Sequence, residues 1–344
     1  MLIILILTLL NSNQSYLFSV IISIYNTGRY LDDSISSLIN QTIGYDKIQI
    51  ILINDGSTDN SENICLHYKK RYEKNIIYIK IKHSGVSKAR NIGLMFAKGL
   101  YINFLDSDDK WDSKAFNYAY LFFKLNKNIN LIGCRMKYFE LLNKYHFLDY
   151  KFYKTRIVNL TEEYDCIQLS ASSSFFRASA IKGKNFGEGI FSGEDILYIV
   201  NTILYQPIIG LIKEAFYYYR KRADSSSAMQ STEQNKKFYL WTIQNVAEFI
   251  IKKSIENYNK ILPFIQFLIA YELLFRLESK AFKFLEPIIY NKYCKTIENL
   301  LKQLDDKYIL EQKIFPSKLQ IFALSKKYNF DQRNFIILQN HSLI

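Results

Sequence analysis

The sequence predicts an α/β protein with a mostly parallel sheet flanked by helices, followed by a helical region. Three observations favour this fold. Apolar, β-branched runs alternate with helix-length segments through residues 16–111. Polar residues follow each of these runs, as expected where parallel strands end at one edge of a sheet. From Glu233 to Ile344 the sequence indicates only helices, rich in Tyr, Phe and Lys.

Four apolar runs are the candidate strands, and three helices connect them. A helix that begins after Thr27 carries Leu31, Ile35, Leu38 and Ile39 at helical spacing. The expected strands are Tyr16–Ile24, Ile48–Ile53, Ile76–Ile81 and Leu100–Leu105, and the other two helices are Glu62–Lys74 and Val86–Lys98. Alternation of this kind is typical of βαβ units with right-handed crossovers.

The composition is that of a globular protein with anionic partners. Hydrophobic residues make up 49% and charged residues 22% of 344 residues, and the formal net charge is +13. Phosphate compounds or an acidic membrane surface would suit this charge. No arginine-rich tract or zinc-knuckle spacing accompanies it, so no nucleic acid partner is expected. The four cysteines form no CxxC pair, which favours a reducing, cytoplasmic location, with peripheral contact at the inner face of the membrane as an extension of that expectation.

Three carboxylates, Asp106, Asp108 and Asp109, end the fourth predicted strand. While the chain stays extended, residues at i and i+2 share a face, so Asp106 and Asp108 can point into one crevice. Oxygen ligands of this kind suit Mg²⁺ or Mn²⁺. The alternative is that Ser107, Asp108 and Asp109 only cap a helix expected from Asp112.

The other strand ends carry the residues expected to bind a nucleotide. Asp55 can accept hydrogen bonds from a base imide or a ribose hydroxyl. Arg90, in the first turns of a helix, offers a planar fork for phosphate. Neither a GxGxxG nor a GxxxxGK[ST] motif occurs, so a dinucleotide fold and a P-loop are not supported.

Four motifs, taken together, resemble the nucleotide-binding half of the family 2 glycosyltransferases with the GT-A fold. In order they are Ser19–Asn26, Asn54–Ser61, Gly85–Gly93 and Phe104–Asp109. The resemblance implies a nucleotide-diphospho-sugar donor, a divalent metal (Mn²⁺ or Mg²⁺), and inverting transfer to an acceptor hydroxyl. By the same resemblance Asp106 faces the ribose, Asp108 holds the metal, and Tyr25, Asn26 and Asp55 contact the nucleoside. Ser23 stands where many members have Pro.

The second half carries weaker motifs. Residues 186–195 end in Gly193-Glu194-Asp195 and are similar to the family's acidic motif beside the acceptor. The resemblance implies Asp195 as general base, with Glu194 orienting the acceptor or the base. A Gly before two acids is also an ordinary helix start, here of an apolar helix over Ile196–Leu204.

Residues 217–227 resemble a loop that folds over the donor diphosphate in this family. Arg220 and Arg222 would bind the phosphates, and the serines after them would let the loop close. A solvated basic turn is the alternative. Some relatives carry His where Arg222 stands.

The predicted domains are an apolar N-terminal extension at 1–15, a GT-A domain at 16–230 and a helical region at 231–344. The GT-A domain divides into a nucleotide-binding half, 16–111, and an acceptor half, 112–230. The apolar run Leu2–Leu10 has no preceding basic residue or cleavage site, so secretion is not expected. The apolar stretch 261–275 contains Glu272 and is too short to span a bilayer, which favours a core helix over an interfacial one.

The function expected is inverting transfer of a hexose or N-acetylhexosamine from a UDP-sugar to a saccharide or lipid-linked saccharide. Bacterial surface polysaccharide synthesis, of capsule or lipopolysaccharide, is expected by family analogy. One rival is a nucleotidyltransferase, which would need a Gly-rich basic loop where Tyr25–Arg29 stands. The other is a basic binding protein whose catalytic site is retired.

Overall fold

The computed structural model describes residues 16–190, 192–222, 236–279 and 281–330. Within these ranges nine strands form one sheet, in the order β3-β2-β1-β4-β8-β6-β9-β5, with β7 paired to β9. The strands are β1 Phe18–Ile24, β2 Ile48–Asn54, β3 Ile76–Lys80, β4 Tyr101–Asp106, β5 Lys110–Trp111, β6 Leu131–Glu140, β7 Arg156–Asn159, β8 Ser174–Arg177 and β9 Ile208–Lys221.

One set of helices packs with the sheet, and a second set follows β9 in the C-terminal part of the chain. Those packed with the sheet are α1 Gly28–Ile39, α2 Ser61–Arg71, α3 Val86–Phe96, α4 Ala115–Leu125, α5 Ala178–Ile181 and α6 Glu194–Ile203. The C-terminal group contains α7 Lys236–Thr242, α8 Glu248–Tyr258, α9 Pro263–Glu278, α10 Pro287–Leu301, α11 Asp306–Leu310 and α12 Ser317–Tyr328. A π-helical segment, Ile243–Ala247, joins α7 to α8, and 3₁₀ turns occur at Tyr45–Lys47, Phe147–Phe152 and Ala281–Lys283.

The first half has the predicted parallel arrangement. β1 pairs in parallel with both β2 and β4, and β2 pairs in parallel with β3. The carboxyl ends of these strands, at Ile24, Asn54, Lys80 and Asp106, therefore lie along one edge of the sheet. This geometry brings together the polar residues that follow each strand.

Beyond β4 the sheet becomes mixed. β8 is antiparallel to β4 and β6, β9 is parallel to β6, and β5 and β7 are antiparallel to β9. The short β5, directly after the acidic motif, pairs Lys110 with Tyr218 and Trp111 with Tyr217. This pairing places the end of β9 next to the acidic motif.

The side chains of β1 point alternately to the two faces of the sheet, and both faces are buried. Ile21 joins the core beneath α3, whereas Val20 and Ile22 join the core on the other face. Continuous apolar runs are characteristic of strands covered on both sides. Gly99 also has a packing reason, because a Cβ there would lie 2.4 Å from the Ser19 amide nitrogen.

The C-terminal helices pack against the sheet domain through α6. The Tyr258 hydroxyl donates to the Leu204 carbonyl (2.7 Å), and Lys313 pairs with Asp165 (2.6 Å). Most of α9 is buried, including its polar residues Gln266 and Arg276, so the predicted core helix is confirmed. In the described ranges we find no helix that combines the length and apolar character needed to cross a membrane.

Three predictions fall on residues outside the described ranges. They are the N-terminal extension at 1–15, the serine-rich part of the predicted diphosphate loop, 223–227, and the boundary at 230/231. The domain limits therefore stay predictions.

Candidate active site

The acidic motif forms a turn rather than an extended strand. The Asp109 amide donates to the Asp106 carbonyl (3.0 Å), so the chain reverses directly after β4. The next helix, α4, begins only at Ala115, and the acids do not cap it. The helix-cap alternative is therefore wrong, and so is the extended geometry expected for Asp106 and Asp108. Ser107 is buried in the turn and accepts a hydrogen bond from the Thr27 hydroxyl (2.9 Å).

Arg90 joins the acid at the end of β4 to the acid at the start of α6. Its Nη1 donates to Asp195 Oδ1 (2.7 Å) and its Nη2 donates to Asp106 Oδ1 (2.9 Å). Glu194 lies 3.6 Å from the same Nη1. Arg90 is only 3% exposed, whereas the side chains of Asp195 and Glu194 each retain 18% exposure. The two acids are therefore partly open to solvent, whereas the arginine behind them is not.

Three carboxylates lie around this one guanidinium, and the pKa values of two of them, Asp195 and Glu194, are raised. Burial raises the pKa of Asp195, although the Arg90 charge opposes the change. Burial and the Asp195 charge together raise the pKa of Glu194 to about 7. Burial acts to lower the pKa of Arg90, but the surrounding carboxylates outweigh it and raise that pKa. The pKa values of Asp195 and Glu194 are therefore higher than the pKa of an exposed carboxyl.

The structure corrects the role predicted for Arg90. Its terminal nitrogens hold the carboxylates of Asp195 and Asp106, and its guanidinium lies 5.0 Å from the ring centre of buried Phe186. A group committed to these contacts does not offer a fork to a phosphate. Its position indicates that it sets the orientation of the two acids.

Replacing Arg90 by Met is expected to destabilise the protein by about 3 kcal/mol, the low end for a buried ion pair, because it leaves three partly exposed carboxylates without their shared partner. The measurement is urea unfolding. Lys88→Met is a matched control two residues away, since its pair with Glu188 is exposed (45% and 50%) and is worth about 0–1 kcal/mol. Equal effects of the two substitutions would contradict this account of Arg90.

Asp108 is held by Arg222 at the end of β9. Arg222 Nε lies 2.9 Å and Nη2 2.7 Å from Asp108 Oδ2. Burial raises the pKa of Asp108, and the nearby Asp106 charge adds to the increase despite the opposing Arg222 charge. The two predicted site residues, Asp108 and Arg222, are thus brought together.

Arg220 is an anchor of the acidic turn. Its Nη2 donates to Asp33 (2.7 Å), its Nη1 to Glu140 (2.5 Å) and its Nε to the Asp108 carbonyl (2.7 Å). The side chain lies in β9, not in a loop, and is nearly fully buried. The structure therefore corrects the predicted phosphate role, because these contacts occupy its guanidinium.

Asp109 is the best-enclosed acid of the motif, with 1% exposure. It accepts hydrogen bonds from the Tyr217 hydroxyl and the Arg220 amide, each at 2.7 Å. Burial raises its pKa well above the ordinary value, and the charges of Asp108 and Asp106 add to the increase. The contact between Asp109 and Tyr217 thus holds the end of β9 against the turn, and no periodic pattern in the sequence predicts this pairing.

The predicted nucleoside residues lie at the ends of β1 and β2. Asp55 accepts hydrogen bonds from the amides of Ser84 (2.7 Å) and Gly85 (2.9 Å), just before α3. Tyr25 is 46% exposed and stacks on His83 with ring centres 4.0 Å apart. Asp55 is 3% exposed, and its Oδ2 also lies 3.0 Å from His83 Nδ1.

Asn26 shapes the loop beside this ring pair. It has a φ of 52°, and its side-chain oxygen accepts from the Thr58 amide (2.8 Å). Asn tolerates this left-handed conformation better than most residues do. Asn26 thus joins the loops after β1 and β2.

Sequence reasoning missed the segment that touches both Asp195 and Asp106. The Ala171 amide donates to Asp195 Oδ2 and the Ser172 hydroxyl donates to Asp106 Oδ2, each at 2.8 Å. The only available signal was the run of serines at 170–174, which reads equally well as a loop. Its role depends on long-range packing.

Within the described ranges no three His, Cys, Asp or Glu side chains cluster in a way that could hold a metal ion. A single carboxylate can still serve, because Mg²⁺ and related ions are often held by one or two carboxylates and the phosphates of a substrate. Asp108 is the acid of the motif predicted for this role, and in the structure its Oδ2 is paired with Arg222.

Comparisons with known proteins identify the family to which this chain is similar. The model of the family described as Glycosyl transferase family 2 matches residues 19–183. Two curated proteins of Bacillus subtilis are similar. The minor teichoic acid biosynthesis protein GgaB is 36% identical over 94% of this chain, and GgaA is 35% identical over 75% of it. The aligned regions cover 36% of GgaB and 59% of GgaA, so the chain spans only part of each relative.

A solved structure shares the fold. The crystal structure of S. aureus TarS residues 1–349 in complex with UDP-GlcNAc superposes with a TM-score of 0.68. The match covers 90% of this chain and 87% of that one, at 22% sequence identity. At this identity the likeness bears on the architecture alone.

Proposed function

The chain belongs to the family 2 glycosyltransferases with the GT-A fold, and on that premise we propose that it transfers a sugar from a UDP-sugar to a hydroxyl group of an anionic cell-wall polymer. One observation carries this proposal. Arg90 links Asp195, at the acceptor side, to Asp106, at the donor side, through contacts of 2.7 and 2.9 Å. This arrangement suits a reaction in which a base and a nucleotide site act on the same bond.

Asp195 is the general base. It takes the proton of the acceptor hydroxyl, whose oxygen attacks the anomeric carbon while the nucleoside diphosphate leaves from the opposite side. A single displacement of this kind inverts the configuration. General-base assistance is typically worth 10²–10⁴-fold in rate. Glu194, beside it, orients the acceptor or the base.

The donor is held along the strand ends. Tyr25 and Asp55 contact the base and Asp106 the ribose, while Asn26 holds the loop around them. Arg222 pairs with Asp108 and is more exposed than Arg220 (12% against 7% of the side chain), so it is the cation proposed for the diphosphate, while Arg220 keeps the acidic turn in place. Asp108 would hold Mn²⁺ or Mg²⁺. Such an ion supplies Lewis-acid stabilisation of charge on the leaving phosphate.

The choice of acceptor rests on charge and on the relatives. The chain has a net charge of +13, and the similar GgaB and GgaA are named for minor teichoic acid biosynthesis. A phosphate-containing polymer is attracted to such a surface. This acceptor class replaces the capsule or lipopolysaccharide expected at first. Action at the inner face of the membrane is the location we propose with it.

A ligand-binding panel tests the donor site. UDP, UDP-GlcNAc, GDP and ADP are added with and without Mn²⁺, and the thermal unfolding of the protein is followed. A ligand at one hundred times its Kd adds about 2.7 kcal/mol to the unfolding free energy. UDP compounds are expected to raise the Tm, more so with Mn²⁺. Equal shifts with all nucleotides, or none, would contradict the proposed donor.

The transfer rate is expected to fall as pH is lowered toward 5, at a higher pH than an exposed Asp would require. Burial raises the pKa of the base, Asp195, above its ordinary value, so the base becomes protonated before an exposed Asp would. A base with an ordinary Asp pKa would stay ionised to about pH 4. The measurement is kcat at saturating donor from pH 4.5 to 8.5. A rate that stays constant down to pH 5 would contradict the raised pKa.

A further inference from the structure

One short segment contacts the acids on both sides of the proposed reaction centre. Residues 168–174, called here the serine segment, supply the Ala171 amide to Asp195 and the Ser172 hydroxyl to Asp106, each at 2.8 Å. Asn103 of β4 holds the same segment by donating to the carbonyls of Ser172 (2.9 Å) and Ser174 (2.8 Å). A shift of this segment would move both carboxylates together.

Gln168 is the centre of hydrogen bonding within the serine segment. Its amide nitrogen lies 3.0 Å from the hydroxyl oxygens of Ser173 and Ser174 and 3.2 Å from the Ser170 carbonyl. The side chain is 7% exposed, so water competes little for these donors. The amide therefore fixes the curvature of the segment around Ala171 and Ser172.

Lys151 determines which way the Gln168 amide faces. Its Nζ donates to Gln168 Oε1 (2.9 Å) and to the Ile167 carbonyl. A lysine cannot accept a hydrogen bond from an amide nitrogen while it is charged, so the oxygen of Gln168 must face Lys151 and the nitrogen must face the serines. Gly133 of β6 adds a steric limit, because a Cβ there would lie 2.8 Å from Gln168 Oε1.

Lys151 itself is poorly placed for a role as a simple ion-pair residue. It is 4% exposed, and the nearby carboxylate of Asp149 is already engaged by Arg135 through contacts of 2.6 and 2.8 Å. Burial lowers the pKa of Lys151 to about 7. In its charged form, the form that fixes the orientation of Gln168, the amine has three N–H donors for its two oxygen partners, the Ile167 carbonyl and Gln168 Oε1.

We propose that Gln168, oriented by Lys151, is a positioning residue for sugar transfer that aligns Asp195 and Asp106 through the serine segment. Neither Gln168 nor Lys151 contacts these acids, so their effect passes through Ala171 and Ser172. The proposal rests on the proposed function, because it assigns a role in the reaction of that same site. A misplacement of about 1 Å in a reacting group can cost about 10²-fold in rate.

Gln168→Glu is the most informative substitution. It preserves the shape of the side chain and the contact to Lys151, but it removes the N–H donors to the serine segment. We expect kcat to fall by about 10- to 10²-fold, with a smaller loss of UDP-GlcNAc affinity that arises from the displaced Asp106. A residue needed only for stability would change the Tm without producing this split.

The acid limb of the pH profile gives a second readout. The Ala171 amide stabilises the charged form of Asp195, so a displaced segment raises the pKa of that base and moves the limb to higher pH. Arg90, Glu194 and Asp106 also face Asp195 and are unchanged in the variant. Gln168→Leu, which adds no charge, is expected to move the limb in the same direction.

Gln312→Glu is the matched control. Gln312 is 1% exposed and donates to the carbonyls of Phe267 (2.8 Å) and Tyr308 (3.0 Å) in the C-terminal helices. It should lower the Tm and leave kcat and the acid limb unchanged. If Gln168→Glu does not fold, Gly133→Ala presses on the same amide and must produce the split.

The outcomes separate the two proposals. A wild-type protein that transfers no sugar overturns the proposed function. A wild-type protein that does transfer sugar, together with Gln168→Glu or Gly133→Ala at wild-type kcat, overturns only the positioning role. An equal loss of kcat and of UDP-GlcNAc binding in Gln168→Glu overturns it as well.

Discussion

Asp195→Asn is expected to retain UDP-sugar binding and to lower the rate of sugar transfer by about 10²–10⁴-fold. Asparagine at this position, in the first turn of α6, keeps a side-chain oxygen that can accept the hydrogen bond from the Ala171 amide. It lacks the charge needed to take a proton from the acceptor. The measurement is kcat with saturating UDP-GlcNAc and acceptor, beside the Kd of UDP-GlcNAc from calorimetry.

Glu194→Gln is the control for this substitution. The two acids are adjacent and equally exposed, at 18% of the side chain, but Glu194 is the more distant from Arg90, at 3.6 Å rather than 2.7 Å. We expect Glu194→Gln to cost less than Asp195→Asn, since Glu194 orients groups and takes no proton. A larger loss of transfer rate from Glu194→Gln than from Asp195→Asn would make Glu194 the general base and Asp195 the orienting residue.

Asp108→Asn is expected to remove the effect of Mn²⁺ on donor binding and to reduce transfer by at least about 10²-fold. Charge stabilisation by a bound metal ion is worth several kcal/mol, and each 1.36 kcal/mol is tenfold in rate. The substitution also leaves Arg222 without its carboxylate partner. The readouts are the Mn²⁺-dependent part of the UDP thermal shift and the rate of transfer.

Asp112→Asn is the matched control, four residues further along the chain. Asp112 accepts a hydrogen bond from the Lys114 amide (2.9 Å) and contacts none of the proposed donor residues. It should keep the Mn²⁺ effect and the rate. An undiminished Mn²⁺ effect in Asp108→Asn would contradict the assignment of Asp108 as the metal ligand.

The parallel half of the fold followed from local sequence. Continuous apolar runs such as Ile48–Ile53 are typical of strands buried on both faces, and the observed strand, Ile48–Asn54, differs by one residue. Shorter strands such as β5 and β8 have two and four residues and were not foreseen. Their pairing depends on contacts with distant parts of the chain, which no local pattern records.

The site was predicted in its residues more fully than in their contacts. Asp106 and Asp108, at the end of β4, lie in one region with Asp195, at the start of α6. A ligand site at the carboxyl ends of the strands is expected in an open α/β sheet. The arginines Arg90 and Arg220 were expected to meet phosphates and instead hold carboxylates. Residue type alone could not separate these cases, because a guanidinium forms the same paired hydrogen bonds with either anion.

The contacts of the serine segment were beyond sequence reasoning. Its link to Asp195 uses the backbone amide of Ala171, which any residue could supply. The packing of the C-terminal helices behind α6 was equally hidden, although their helical character was not. Both depend on tertiary arrangement, whereas the motifs depend on residue type.

The configuration of the sugar in the product tests the central claim most directly. The protein is incubated with UDP-GlcNAc, Mn²⁺ and a polyol-phosphate acceptor, and the anomeric configuration of the transferred sugar is read by proton NMR. Because the donor sugar is α-linked, displacement assisted by Asp195 predicts a β-linked product, formed by the wild type and not by Asp195→Asn. An α-linked product, or equal product from the Asp195→Asn variant, would contradict the proposed single displacement.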